Sequence, residues 1–136
     1  MKISVFALHI MFIVCFVVIS TSCKGAQVKQ QEGPHITFES TEVDLGTIRQ
    51  NGEFEFSFRF TNDGTAVLEI LSTKASCGCT IIEEGAQTLH PGESSIITGK
   101  FHSRQYKGLL VRTIAVKTND PANERVVLYI KASIEE

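Results

Sequence analysis

The chain has 136 residues, of which 43% are hydrophobic and 21% are charged, and its formal net charge is −2 at pH 7. This size and composition fit one globular domain and argue against a disordered chain or a second hydrophobic core. The slightly negative charge and the lack of a basic stripe in the sequence argue against nucleic acid as a partner.

The first residues have the pattern of a secretory signal. Lys2 precedes an uncharged apolar run from Ile3 to Ile19, and small residues then lead up to Cys23. A basic start, an apolar run and a small-residue cleavage zone are typical of a signal peptide that is removed. The alternative is a transmembrane anchor, but the run is shorter than the roughly 20 residues that a bilayer span takes.

Cys23 gives this signal a more specific interpretation. Its position behind small residues resembles a bacterial lipobox, in which the cysteine receives diacylglycerol and becomes the mature N-terminus. The resemblance implies that residues 1–22 are a lipoprotein signal peptide and that residues 23–34 are a lipidated, flexible tether to a membrane. The alternative is ordinary cleavage nearby, which would release a soluble secreted domain.

From Pro34 onward the chain alternates apolar with polar residues between turn signals, which predicts strands. Asn62-Asp63-Gly64 predicts a tight hairpin turn, and Pro91-Gly92 predicts a type II turn. Gly99 lies inside an apolar alternation, which suggests a close approach of two backbones. The predicted strands cover residues 35–39, 42–48, 53–61, 66–74, 81–82, 94–102, 110–118 and 125–134.

The strongest of these signals is a run of phenylalanines. Phe54, Phe56, Phe58 and Phe60 recur at every second position, so an extended strand places all four rings on one face. Short strands at roughly ten-residue spacing over about 100 residues are typical of an immunoglobulin-like fold. We therefore predict an all-β, antiparallel β-sandwich of seven to eight strands over residues 35–136.

Two cysteines remain for chemistry once the N-terminal ones are assigned. Cys15 leaves with the signal peptide and Cys23 is lipidated, so Cys77 and Cys79 remain, separated by Gly78. We expect the glycine to allow a positive φ or another tight conformation that brings the sulfurs together. Three interpretations stay open: a reversible dithiol or local disulfide, a soft-metal site for Cu(I) or Zn²⁺, and two reduced thiols without activity.

Other catalytic signals are weak. The cysteine pair has one intervening residue and no helix, unlike the Cys-x-x-Cys of thioredoxin-like enzymes. No serine lies in a Gly-x-Ser-x-Gly elbow, and the sequence contains no glycine-rich phosphate loop. The residues therefore favour a protein without enzymatic activity, and they identify no cofactor.

Several segments together resemble one bacterial family, the domain of unknown function 1573. The segments are Phe58 to Gly64, Leu68 to Ile70, Pro91 to Glu93, Ile114 to Asn119 and, as the most specific, Ser76-Cys77-Gly78-Cys79-Thr80. The family is similar to the immunoglobulin-like ASH and hydin modules. The resemblance implies an immunoglobulin-like sandwich on the cell envelope, and it brings no established reaction with it.

The combined expectation is a non-enzymatic lipoprotein of the cell envelope, held to the membrane by its N-terminal lipid. Its immunoglobulin-like module would bind an envelope protein or polymer. The alternative function is thiol-redox or soft-metal handling through Cys77 and Cys79. Lipoproteins similar to this family often carry an acidic run after the acylated cysteine when they reach the cell surface, and none follows Cys23. The resemblance therefore implies an outer-membrane protein that faces the periplasm, with a secreted or surface-exposed protein as the alternative. The sequence carries no signal for an oligomeric state.

Overall fold

A computed structural model describes residues 32–136, so the predicted signal peptide, Cys23 and most of the tether lie outside the described residues. No helix in the described range could cross a membrane. Nine strands make up this range, against the seven to eight predicted. They are β1 (Ile36–Phe38), β2 (Glu42–Arg49), β3 (Glu53–Asn62), β4 (Leu68–Ala75), β5 (Thr80–Glu84), β6 (Thr88–Leu89), β7 (Ser94–His102), β8 (Gly108–Thr118) and β9 (Arg125–Glu135).

The strands form two sheets, and this confirms the predicted immunoglobulin-like sandwich. One sheet has four strands in the order β1-β3-β7-β5, and the other has five in the order β2-β9-β8-β4-β6. All neighbouring pairs are antiparallel except β2 and β9, which run parallel. The expectation of a purely antiparallel sandwich was wrong at this pair, because alternation identifies the faces of a strand and not the direction of its neighbour.

The phenylalanines of β3 point into the space between the sheets, as predicted. Phe56, Phe58 and Phe60 are 5%, 1% and 1% exposed, whereas Phe54 at the start of the strand is only partly buried. Phe58 lies opposite Ile97 of β7, and both belong to the hydrophobic core. Each buried aromatic ring removes on the order of 150–250 Å² from water, so this strand supplies a large part of the core.

Gly99 of β7 makes the close approach that the sequence predicted. It lies opposite Phe56, and a Cβ at this position would come within 2.2 Å of the Ile81 carbonyl oxygen and 2.5 Å of the Phe56 ring. The ring of Phe56 therefore occupies the space that a side chain would fill. The Pro91-Gly92 turn is also confirmed, since Gly92 has a φ of 83° and the amide of Glu93 donates to the His90 carbonyl at 3.0 Å.

The predicted hairpin at Asn62-Asp63-Gly64 was wrong. β3 and β4 lie in different sheets, and neither Asn62 nor Gly64 has a positive φ. Asn62 is fully buried, and its side-chain NH₂ group donates to the carbonyls of Ala66 at 2.8 Å and Leu89 at 2.9 Å. Its side-chain oxygen accepts from the amides of His35 and Gly64. Asn62 thus joins three loops by hydrogen bonds.

Asp120 acts in a similar way in the β8–β9 turn. Its side chain is 1% exposed and accepts hydrogen bonds from the Ile36 amide at 3.0 Å and the Ala122 amide at 2.8 Å. The Asn123 side chain donates to it at 2.8 Å, and His35 Nδ1 lies 3.1 Å away. Burial alone would raise the pKa of Asp120, but these hydrogen bonds and the charge of His35 outweigh it and lower the pKa.

The two ends of the sandwich carry different features. β1, β2 and β9 start at one end, which we call the base, and the chain enters the domain there through residues 32–35. The base also contains Asn62, Asp120 and the turn at residues 90–93. The opposite end, which we call the tip, contains the turn at residues 50–52, the connection at residues 76–79 and the loop at residues 103–107.

We expect Gly99→Ala to lower the free energy of unfolding by about 3 kcal/mol, because the new methyl group would overpack the core against Phe56 and the Ile81 backbone. The control is Gly78→Ala, where an added Cβ meets nothing within 4 Å. Urea denaturation measures both variants. Equal stability of the two would contradict the packing described for Gly99.

We expect Asp120→Asn to lower the free energy of unfolding by about 1–3 kcal/mol at pH 7, because the charged acceptor of several hydrogen bonds is lost. A carboxylate with a lowered folded pKa contributes stability above its unfolded pKa of about 3.9 and loses it as the pH falls through the folded value. The difference between wild type and variant should therefore shrink below about pH 4. Denaturation curves measured from pH 7 to pH 2 test this, and a constant difference would refute it.

Candidate functional site at the tip

The cysteine pair lies in the connection between β4 and β5, which crosses from the five-stranded sheet to the four-stranded sheet at the tip. We call residues 76–79 the tip loop. A disulfide joins Cys77 to Cys79, and their Cα atoms are 5.3 Å apart. This separation is well within the range of protein disulfides, and it is shorter than two residues span in an extended strand.

Gly78 does not play the conformational part that the sequence suggested. Its φ is not positive, and a Cβ at this position would meet no atom within 4 Å outside the neighbouring Cys77 and Cys79. The turn is therefore one that other residues could adopt. What the glycine provides is an exposed link between the two cysteines with no side chain beside the sulfur atoms.

Hydrogen bonds hold the tip loop independently of the disulfide. The Ser76 amide donates to the Thr113 carbonyl at 2.9 Å, and the Thr113 amide donates to the Ser76 hydroxyl at 3.1 Å. On the other side, the Cys79 carbonyl accepts from the His102 amide at 2.8 Å. The Arg104 guanidinium donates to the Gly78 carbonyl at 3.0 Å. The loop is thus fastened to both sheets through its backbone and through Ser76.

The disulfide itself adds little to the stability of the domain. It closes a loop of only three residues, since the cysteines are two positions apart. In the chain-entropy account, such a loop removes about 1.6 kcal/mol of unfolded-state entropy, against about 3 kcal/mol for a loop of fifteen residues. Stabilisation of the fold is therefore a weak explanation for this bond.

The two cysteines differ in their surroundings. Cys79 is 2% exposed and belongs to the hydrophobic core, whereas Cys77 is only partly buried at the edge of that core. The Sγ atom of Cys77 lies 3.4 Å from the amide nitrogen of Cys79 and 3.7 Å from the hydroxyl oxygen of Thr80. Cys77 is therefore a partly exposed residue whose sulfur lies near polar groups, whereas Cys79 is enclosed in the core.

The soft-metal interpretation has two sulfur ligands to draw on. Residues 32–136 contain no group of three or more His, Cys, Asp or Glu side chains placed to hold a metal ion. A Cu(I) or Zn²⁺ ion at Cys77 and Cys79 would require the disulfide to be reduced first, because a coordinating sulfur is a thiolate. A tetrahedral ion would then need further ligands from outside this range.

Two arginines near the tip loop could not be identified from any pattern in the sequence. Arg104 has a φ of 45°, which is uncommon for a residue with a side chain, and its backbone oxygen accepts from the Asn51 amide at 2.7 Å. The guanidinium of Arg112 lies over the Tyr106 ring, 4.9 Å from the ring centroid. The tip therefore presents two guanidinium groups, and neither could be placed there from the sequence alone.

Comparison with solved structures supports the fold assignment. A protein of unknown function from Porphyromonas gingivalis W83 matches with a TM-score of 0.65 and 17% identity, over 79% of this chain and 50% of that one. The VesB protease of Vibrio cholerae matches with a TM-score of 0.60 and 18% identity, over 72% of this chain and 31% of that one. The chain thus spans half or less of these two proteins.

A human domain gives a more complete overlap. The ASH / PapD-like domain 7 of CEP192 matches with a TM-score of 0.58 and 11% identity, over 74% of this chain and 85% of that chain. At these identities the likeness concerns the fold alone. None of the curated proteins compared with the sequence matches it. The sequence profile of the family described as "Protein of unknown function (DUF1573)" matches residues 36–134, which confirms the resemblance, and the chain belongs to that family.

Proposed function

We propose that this protein is a non-enzymatic lipoprotein of the cell envelope whose immunoglobulin-like module presents the tip to another envelope protein. The observation that carries the proposal is the direction of the chain through the sandwich. The tether enters at the base, and the tip loop lies at the opposite end. A lipid at Cys23 would therefore hold the base toward the membrane and point the tip away from it.

The length of the module makes this separation substantial. β3 runs from tip to base through ten residues, from Glu53 to Asn62. At about 3.3 Å per residue such a strand spans roughly 30 Å. With the base tethered, the tip can reach about that much farther from the lipid surface than the base, toward proteins that the base cannot contact. We place the lipid in the outer membrane and the module in the periplasm.

The tip carries exposed apolar side chains beside basic residues. Leu109 at the start of β8 is 90% exposed, and Val111 on the same face is 51% exposed. Arg104 and Lys107 in the adjoining loop are exposed; the Arg104 guanidinium donates to the Gly78 carbonyl and the Lys107 ammonium pairs with Glu136. Apolar contact next to guanidinium and ammonium groups favours a protein partner with an acidic rim around an apolar contact.

The lipid is tested by Cys23→Ala. We expect this variant to lose labelling by a fatty-acid analogue and to move from the membrane fraction to the soluble fraction, because the acceptor thiol is gone. Cys15→Ala is the control, since it changes a cysteine of the signal region and leaves the acceptor in place. Labelling that persists without Cys23, or a mature protein that retains residues 1–22 by mass, would exclude the proposed anchor.

The orientation is tested by photo-crosslinking in intact cells. A photoreactive amino acid at Gln105, which is exposed at the tip, should give a discrete adduct with one envelope protein. The same probe at Pro121, which is exposed at the base, should not give that adduct. A ladder of masses from Gln105 would indicate a polymer as the partner. Identical adducts from both positions, or none from Gln105, would contradict presentation through the tip.

A second candidate function uses the same end of the molecule. Cys77 and Cys79 form a disulfide that contributes little to stability and lies where a partner would arrive. This favours thiol-redox chemistry over two inert thiols. The tip would then bind its partner and also exchange a disulfide with it.

A further inference from the structure

Two hydrogen-bond donors of the chain converge on one sulfur of the tip disulfide. The Cys79 amide points to Cys77 Sγ at 3.4 Å, and the Thr80 hydroxyl lies 3.7 Å from the same atom. Thr80 is 9% exposed, and it is the first residue of β5, where it pairs with Phe101. The position of its hydroxyl is therefore set by the sheet and not by a mobile loop.

These donors distinguish the two sulfurs chemically. Hydrogen bonds to a sulfur stabilise its negatively charged form, whereas enclosure by apolar groups destabilises that form. Cys77 Sγ has two donors and partial access to solvent, and Cys79 lies in the hydrophobic core at 2% exposure. In the reduced protein the thiolate is therefore better stabilised on Cys77, which makes Cys77 the nucleophile. Attack on the closed disulfide is directed to Cys77 because Cys79 is enclosed in the core.

We infer that the tip disulfide is a reversible exchange site at which Cys77 Sγ forms a mixed disulfide with a cysteine thiolate of a partner protein, while Cys79 serves as the resolving sulfur. The inference deepens the proposed function. It takes from that proposal the direction in which the tip faces, whereas the chemistry of the disulfide is independent of it. Thr80 acts as a positioning residue for Cys77.

The exchange balances without a further reactant. The partner thiolate attacks Cys77 Sγ, a bond forms between these two sulfurs, and the bond between Cys77 and Cys79 breaks. The electron pair of the broken bond leaves on Cys79 Sγ, which takes up the proton that the partner thiol gave to the solvent when it became a thiolate. In the reverse direction the Cys79 thiolate attacks Cys77 Sγ, restores the intramolecular disulfide and releases the partner thiolate.

The tip loop is built to keep its place while this bond opens. Ser76 and Thr113 exchange two hydrogen bonds, and the Cys79 and Gly78 carbonyls accept from His102 and Arg104. None of these contacts involves a sulfur atom. Cys77 and Cys79 therefore remain close after reduction, as a resolving cysteine requires.

The roles of the two sulfurs are tested on the purified full chain in which Cys15 and Cys23 are already replaced by alanine, so that each further variant keeps one cysteine. In Cys79→Ala, we expect Cys77 to react with an aromatic disulfide reagent at least tenfold faster than Cys79 does in Cys77→Ala. Both variants keep one tip thiol and differ only in which one, and their unfolding midpoints show whether each is folded. Equal rates, or a faster Cys79 in a folded variant, would overturn the assignment.

A measurement on the wild-type protein covers the case in which a variant loses its tip structure. The oxidised protein is mixed with reduced glutathione and quenched in acid, and the mixed disulfide is located by mass spectrometry. We expect the adduct on Cys77, and we expect the reduced protein to stay folded and to unfold in one cooperative transition at a lower midpoint than the oxidised protein. An adduct on Cys79, no adduct at any time, or unfolding of the domain on reduction would refute the exchange site.

Thr80→Val in the Cys79→Ala background tests the positioning role. The substitution removes the hydroxyl but keeps the shape and the strand preference of the residue. We expect the pH at which the Cys77 reaction reaches half its maximal rate to rise, since one donor to the thiolate is lost. Thr113→Val, the same change at a tip residue on β8, should leave that pH unchanged. A profile unaffected by Thr80→Val would show that the threonine is merely structural.

Because these assays use purified protein, their failure leaves the tests of the lipid and of the crosslinking untouched.

Discussion

The pairing of β3 with β7 is the constraint on which the rest of the structure depends. It places Phe58 against Ile97 and lets the ring of Phe56 lie over Gly99, so the four-stranded sheet presents an almost continuous apolar face to the other sheet. The same pairing fixes where both strands end. A shift by one residue would turn the rings of β3 to solvent and would move the tip and the base out of register with the second sheet.

Buried polar side chains close the sandwich at both ends. Asn62 and Asp120 bond the loops of the base, and Ser103 has the same role at the tip, where its hydroxyl donates to the Arg49 carbonyl at 2.7 Å and accepts from the Gly52 amide at 2.9 Å. Each of them satisfies backbone groups that the sheets leave unpaired, which would otherwise be costly to bury. Such contacts leave the tip rigid enough to carry reactive groups at fixed distances.

Strand positions and faces could be predicted from the sequence because they follow from local alternation. The run of phenylalanines gave the inward face of β3, and the apolar alternation ending at Ile134 gave that of β9. Other features depend on which distant segments meet. The two-residue strand β6 is too short for any periodicity, and the role of Asn62 depends on loops that approach it from elsewhere in the chain. At the candidate site the cysteine pair was found from the sequence. The contact between Thr80 and Cys77 could not be predicted, because it depends on the path that the chain takes from β4 to β5.

The parallel pairing of β2 with β9 has a consequence for how the domain is made. β2 is among the first strands to be synthesised, and its neighbour in the sheet is the last one. Until residues 125–135 have emerged, β2 has no strand to join, and both the Val43 and Ile48 positions lack their partners on β9. The five-stranded sheet is thus completed only when β2 and β9 pair, by contacts between segments far apart in the chain, and such contacts form slowly.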